Sequence, residues 1–193
     1  MSDFFQTFQG PWLLPLIGVG LLSLSWALYR LVQGKAESLE SAIAEISFDR
    51  IEGLIIPSAD EGEILIDCLL LTSKGLLILE VKDAQGIVFG GNKLQDWIVI
   101  NNDRRYTFSN PQPALYNRIA AVREIVRQVP VAGRILFLDE AQFTKGVPDL
   151  VTGTADLVAD FGEPDKNAAN SKIEAFKPHW DLIRKAALTS NST

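Results

Sequence analysis

Asp67, Glu80 and Lys82 are the residues of this 193-residue chain whose types and spacing could do chemistry together. They stand in two runs, ILIDCLLL and GLLILEVK, that are otherwise apolar enough to be interior strands. An unpaired buried charge costs several kcal/mol, roughly, so charges in such places are paired or ligate a metal. Two carboxylates are hard oxygen donors that suit a Mg2+ or Mn2+ ion keeping several of its waters. An ion so held activates one water and offsets the charge that builds on a phosphate. A lysine beside it adds a cation near the attacked phosphorus and can help deprotonate the water. The chemistry implied is phosphodiester hydrolysis. The simpler alternative is an interstrand ion pair of Lys82 with Asp67 or Glu80. The two readings differ in the cost of Glu80→Ala: an unpaired carboxylate cluster loses function more than stability, whereas an ion pair loses stability.

The elements that must position these residues are two strands joined by the turn TSKG. In the first, Ile64, Ile66, Cys68 and Leu70 point to one side and Leu65, Asp67, Leu69 and Leu71 to the other. Both faces are apolar, which predicts a central strand covered by helices on both sides. Directly opposed residues of an antiparallel pair share a face, so loop length decides whether the three residues meet. A two-residue loop of Lys74 and Gly75 sets Asp67 against Lys82, and a four-residue loop from Thr72 to Gly75 sets it against Glu80. Either even loop unites all three, and a three-residue loop separates Asp67 from the others.

Around this hairpin the pattern predicts an amphipathic helix over 35–46, a short strand or turn at FDRIEGLIIP and an acidic loop SADEGE. A meander follows, with strands at Ile87–Phe89, at Trp97–Ile100 and through Tyr106 and Phe108. PALYNRIAAVREIVRQ has helical spacing, RILFLD is a buried strand, TADLVADF fits a strand or a helix, and IEAFKPHWDLIRKAAL is mostly helix, interrupted or started at Pro178.

The formal charge of -6 excludes a protein that coats nucleic acid by bulk basicity, so any such contact is local. Between Lys93 and Gln128 six cations face three acids, and Arg104, Arg105, Arg118 and Arg123, with Gln112 and Asn117, are the candidate nucleic-acid contacts. The bland reading of that segment is an ordinary solvated helix face. Cys68 is the single cysteine, so no disulfide framework exists. His179 is the single histidine and has no second soft ligand nearby. Gly86, Gly90 and Gly91 read as turn residues and make no phosphate loop.

No residue from Phe4 to Tyr29 is charged, and the 18 residues from Trp12 to Tyr29 reach about 27 Å as a helix, close to the roughly 30 Å of a bilayer's hydrocarbon core. Aromatic residues mark both ends and no small-residue cleavage site follows, which predicts a retained transmembrane anchor over 12–29. Asp3 before it and Arg30 and Lys35 after it put the amino terminus outside and the remainder in the cytoplasm. The expected organisation is an anchor at 1–34 and one cytoplasmic domain at 35–193, in the inner or cytoplasmic membrane.

ILIDCLLLTSKGLLILEVKDAQGIVFG, a later Trp97 and then SNPQPALYNRIAAVREI resemble the nuclease-related domain family in order and spacing, over about residues 37–138. The resemblance implies an α/β fold of the restriction-endonuclease-like PD-(D/E)xK type, a three-layer sandwich with a central mixed sheet. It implies that Asp67, Glu80 and Lys82 are the metal and catalytic positions, with Mg2+ or Mn2+ as cofactor and nucleic acid, DNA before RNA, as partner. The family's early-helix glutamate falls best on Glu40 and next on Glu37. Where the family usually has a histidine after the motif aspartate this chain has Cys68. The glutamine expected three places beyond the proline is Ala114, with Gln112 and Asn117 near it but out of register. An inactive member of the same fold, kept as a membrane-tethered scaffold or binding module, is the alternative.

Overall fold

Apolar strands with two buried faces need helices on both, and the computed structural model of the chain supplies them around a mixed sheet. It describes residues 38–58, 62–102, 104–138, 141–163 and 165–190. The chain divides into two units, residues 1–40 and 41–193, and the account below concerns the second. The anchor expected at 12–29 and Glu37 lie outside the described residues; among the described residues no helix is long and apolar enough to cross a membrane.

A helix, α1 (residues 38–46), buries Ala42, Ile43 and Ile46 and leads directly into β1 (Ser47–Ser58), where the Ser47 hydroxyl donates to the Ile43 carbonyl at 2.6 Å. The segment FDRIEGLIIP is thus a long strand and not a turn, because β2 (Gly62–Thr72) pairs with it along nearly its whole length. β3 (Gly75–Lys82) pairs antiparallel with β2, then parallel with β7 (Val131–Phe137), which pairs parallel with β9 (Val151–Thr152). The first sheet therefore has the order β1-β2-β3-β7-β9 and is mixed.

Both faces of this sheet are covered. Gly133 of β7 faces α2 (Gln112–Ile125), and a Cβ there would lie 2.8 Å from the side chains of Leu115 and Ile119. Its neighbour Arg134 points the other way, as successive strand residues do, and its guanidinium lies 5.3 Å from the Phe161 ring of α3 (Thr154–Phe161). The stretch that fitted either strand or helix is thus a helix, since Leu157 and Phe161, four apart, are its buried stripe. The carboxyl-terminal α4 (Lys166–Ser190) runs through Pro178 without a break and packs on β1, where Trp180 Nε1 and Arg184 both donate to the Asp49 carboxylate at 2.9 and 2.6 Å.

The three meander strands form where the spacing predicts them, in a sheet of their own. The meander does not extend the central sheet; β4 (Gly86–Phe89), β5 (Asp96–Asn101) and β6 (Arg104–Ser109), with β8 (Ala141–Phe143), form a second sheet of order β6-β5-β4-β8. The chain turns from β3 into β4 at Gly86, which has φ of +109° and passes so close to β5 that a Cβ would sit 2.4 Å from the Ile100 carbonyl oxygen. Only glycine tolerates both conditions. The second sheet lies beyond the carboxyl ends of β3 and β7, and its inner face, Val88, Trp97 and Val99, is fully buried. Trp97 stacks at 6.1 Å on Phe137, the last residue of β7, while Phe143 meets Phe137 edge-on at 5.0 Å, so an aromatic cluster joins the two sheets.

Gly86→Ala is expected to cost about 3 kcal/mol, which for a domain of this size lowers Tm by roughly 6–12 °C; differential scanning calorimetry checks it, and an unchanged Tm contradicts the close passage of β4 and β5.

Candidate functional site

Glu80 is the one residue in the first six of β3's eight whose side chain is charged, and it is buried, only 7% exposed. Burial demands compensation, and two cations provide it. Lys82 Nζ lies 2.7 Å from Glu80 Oε1, and Arg118 of α2 lies 3.4 Å from Oε2. Lys82 is two residues along the same strand and so on the same face. Arg118 is held in turn by a 2.8 Å hydrogen bond from its Nε to the Leu65 carbonyl of β2. One guanidinium thereby ties α2, β2 and β3 together at the end of the hairpin.

The hairpin loop is even. Thr72 pairs with Gly75, leaving Ser73 and Lys74 as the two loop residues; the register, with Leu71 opposite Leu76, is that of the four-residue alternative read from the sequence, closed by one further pair. The register runs to Cys68 opposite Leu79, and its next step sets Asp67 opposite Glu80. Asp67 is exposed where Glu80 is buried, and among the described residues no hydrogen bond or ion pair holds it. The end of the hairpin thus carries a clamped carboxylate, a free carboxylate one strand away and a lysine that is one-third exposed.

These are hard oxygen donors of the kind a Mg2+ or Mn2+ ion takes, and an ion that keeps most of its waters needs only one or two of them. Among the described residues no group of three or more His, Cys, Asp or Glu side chains could hold a metal ion. Glu40 is an exposed residue of α1 at the end of the first unit.

The candidate nucleic-acid contacts fall on two elements. Arg104 and Arg105 are exposed on β6, at the edge of the second sheet. The other four lie on α2. Arg118 turns inward to Glu80, and Arg123 donates to the Val131 carbonyl at 2.8 Å. Asn117 is exposed. Gln112, in contrast, is only 3% exposed: its amide nitrogen donates to Asn92 Oδ1 at 2.9 Å and to the Asp149 carbonyl at 2.7 Å, and its Oε1 is buried with no partner among the described residues. It pins the loop before β5 and the loop before β9 to the first turn of α2. The inward role of Arg118 is the functional feature that sequence reasoning missed. Its spacing marks it as an ordinary helix cation, and nothing short of the α2 crossing angle identifies its partner.

Because Glu80 is paired, the expectation of an unpaired carboxylate cluster is corrected. Glu80→Ala leaves Lys82 and Arg118 facing no counter-charge, and the expected loss is about 2 kcal/mol, a Tm lower by roughly 4–8 °C. Lys82→Met costs under about 1 kcal/mol, since Arg118 still covers the carboxylate and Lys82 is partly exposed. Thermal denaturation of the two variants side by side checks the order; equal Tm values for Glu80→Ala and wild type contradict the clamp.

Comparison with curated proteins and with solved structures returned no match. The family profile described as the nuclease-related domain matches residues 35–138, more than half of the chain. That interval contains β1 to β6, α2 and β7, and with them the whole Glu80 site. The chain belongs to the nuclease-related domain family.

Proposed function

We propose that this protein is a metal-dependent nuclease of restriction-endonuclease-like fold that hydrolyses phosphodiester bonds of nucleic acid, DNA before RNA, at Asp67, Glu80 and Lys82. The observation that carries the reading is the exposed, unengaged Asp67 carboxylate one strand away from the buried Glu80, with the partly exposed Lys82 beside it at the end of the hairpin. A core strand has no packing reason to place a carboxylate and an ammonium there, and the family relation concerns nucleases. Asp67 and Glu80 would hold the Mg2+ or Mn2+ ion, which when bound supplies an activated water and positive charge at the phosphate. Arg118 fixes the rotamer of Glu80 before any ligand arrives, which lowers the ordering cost of the site. Lys82, one-third exposed, has freedom to exchange Glu80 for a phosphate oxygen and so to hold the scissile group beside the carboxylates. Arg104, Arg105 and Asn117, the exposed members of the set read from the sequence, supply backbone contacts that position the strand. A membrane anchor at 12–29 with residues 35–193 in the cytoplasm belongs to the same proposal.

A second reading, an inactive scaffold of the same fold, is favoured by one observation: both Glu80 oxygens are already engaged by cations. The readings separate in one experiment. The full chain in detergent micelles is incubated with labelled DNA and RNA, with Mg2+, with Mn2+ or with EDTA. Cleavage that needs metal and falls at least 100-fold in Lys82→Ala and Asp67→Asn supports the nuclease. No cleavage of any substrate, from protein whose folding is verified by circular dichroism, leaves the scaffold.

A further inference from the structure

The outer face of the second sheet is apolar where no described helix is layered on it. β5 reads DWIVIN, apolar at four successive positions, a pattern that ordinarily means burial on both faces. Trp97 and Val99 face the core and are fully buried. Ile98 and Ile100 face outward, and the register extends their rows across the sheet: Arg105, Ile100 and Ile87 stand side by side in one row, and Thr107, Ile98 and Phe89 in the next. The helices α2, α3 and α4 pack instead on strands of the first sheet. Ile100 is 36% exposed and Ile87, Phe89 and Ile98 are half-buried, so a contiguous apolar strip remains open.

Cations border the strip. Arg105 is exposed at its β6 end, and Lys145 Nζ lies 5.7 Å from the Phe89 ring on the other side. Among the described residues the two rows contain no carboxylate; Asp96, opposite Ser109, stands one row further along. In a chain of charge -6, the apolar centre thus has a cation at each of two borders. A ligand complementary to that pattern has an anionic backbone and flat apolar faces that are free to lie on the sheet. Duplex nucleic acid does not fit, because its bases are stacked away and its phosphates would meet the isoleucines. An unpaired strand does fit, with a base on Phe89 and phosphates at Arg105 and Lys145. The sheet also begins where the hairpin ends: β4 starts four residues after Lys82, and β4 and β8 run parallel as β3 and β7 do.

We propose that the outer face of the β6-β5-β4-β8 sheet binds single-stranded nucleic acid, which extends the nuclease reading by naming the form of its substrate. The test is fluorescence anisotropy of a labelled 20-nucleotide oligo(dT), longer than the few nucleotides such a face could engage, with the full chain in micelles and EDTA present so that nothing is cut. Phe89→Leu keeps an apolar side chain but loses the ring, and is expected to weaken binding about ten-fold. Arg105→Ala, at an exposed position, lowers the slope of log affinity against log salt by about 0.7, one phosphate contact. Lys177→Ala, on α4 and away from this sheet, binds as wild type does. The inference is overturned if Phe89→Leu and Arg105→Ala both bind the oligonucleotide as wild type does, or if duplex binds tighter than single strand. It is equally overturned if the two substitutions act only on binding to phosphatidylglycerol vesicles or on self-association in sedimentation. Strand binding that depends on Phe89 and Arg105 in a protein that cuts nothing keeps this inference and removes the nuclease; cutting without that dependence does the opposite.

Discussion

A carboxylate inside a strand buried on both faces is the constraint on which the rest of the domain turns. β3 is buried from Gly75 to Glu80, so Glu80 is tolerated only if counter-charge reaches it. Lys82 arrives by the two-residue period of the strand. Arg118 arrives only if α2 lies across the hairpin with its first turns toward the carboxyl ends of β3 and β7. The same guanidinium also satisfies the Leu65 carbonyl, so a single side chain fixes helix, hairpin and carboxylate in one arrangement. Packing then follows that placement: Leu115 and Ile119 come down over Gly133, a position that any larger residue would fill.

The second constraint is the change of direction after Lys82. Had β4 continued the central sheet, the end of the hairpin would lie under a further strand. The turn at Gly86 instead sends the meander into its own sheet, and the Trp97, Phe137 and Phe143 rings seal the junction. The polar side of that junction is closed by amides. Gln112, Asn92 and Asn110 link the first turn of α2 to the loops before β5 and β9, with Asn110 accepting from the Gln112 backbone and donating to the Leu94 carbonyl. This part-buried polar network ties three separate segments of the chain to one helix start.

The two proposals concern different surfaces of one edge and rest on different physics. At the hairpin, charge is concentrated and partly desolvated, which strengthens each electrostatic contact and favours chemistry on an anion. On the outer face of the second sheet, charge is peripheral and the centre is apolar, which favours contact with unpaired bases. Arg118 shows why a local excess of cations in the sequence does not translate into a surface patch: a guanidinium that neutralises Glu80 is spent on the fold.

Much of this was legible in the sequence, and the reason is periodicity. Runs apolar on both faces, ILIDCLLL and GLLILEVK, identified two central strands, the TSKG turn required them to be neighbours, and the two-residue period tied Asp67, Glu80 and Lys82 to one face for any even loop. The helix at 112–125 and the three meander strands followed from spacing in the same way. What the sequence could not state is whatever depends on side chains distant along the chain. The length of β1 was hidden because FDRIEGLIIP has no clean alternation of its own and is held by pairing to β2. The split into two sheets rests on one glycine's φ and on a close passage of backbone, neither of which has a compositional signature. The pairing of Glu80 with Arg118, 38 residues away, was decided by tertiary structure alone, because a salt bridge needs a distance, and local pattern encodes only direction.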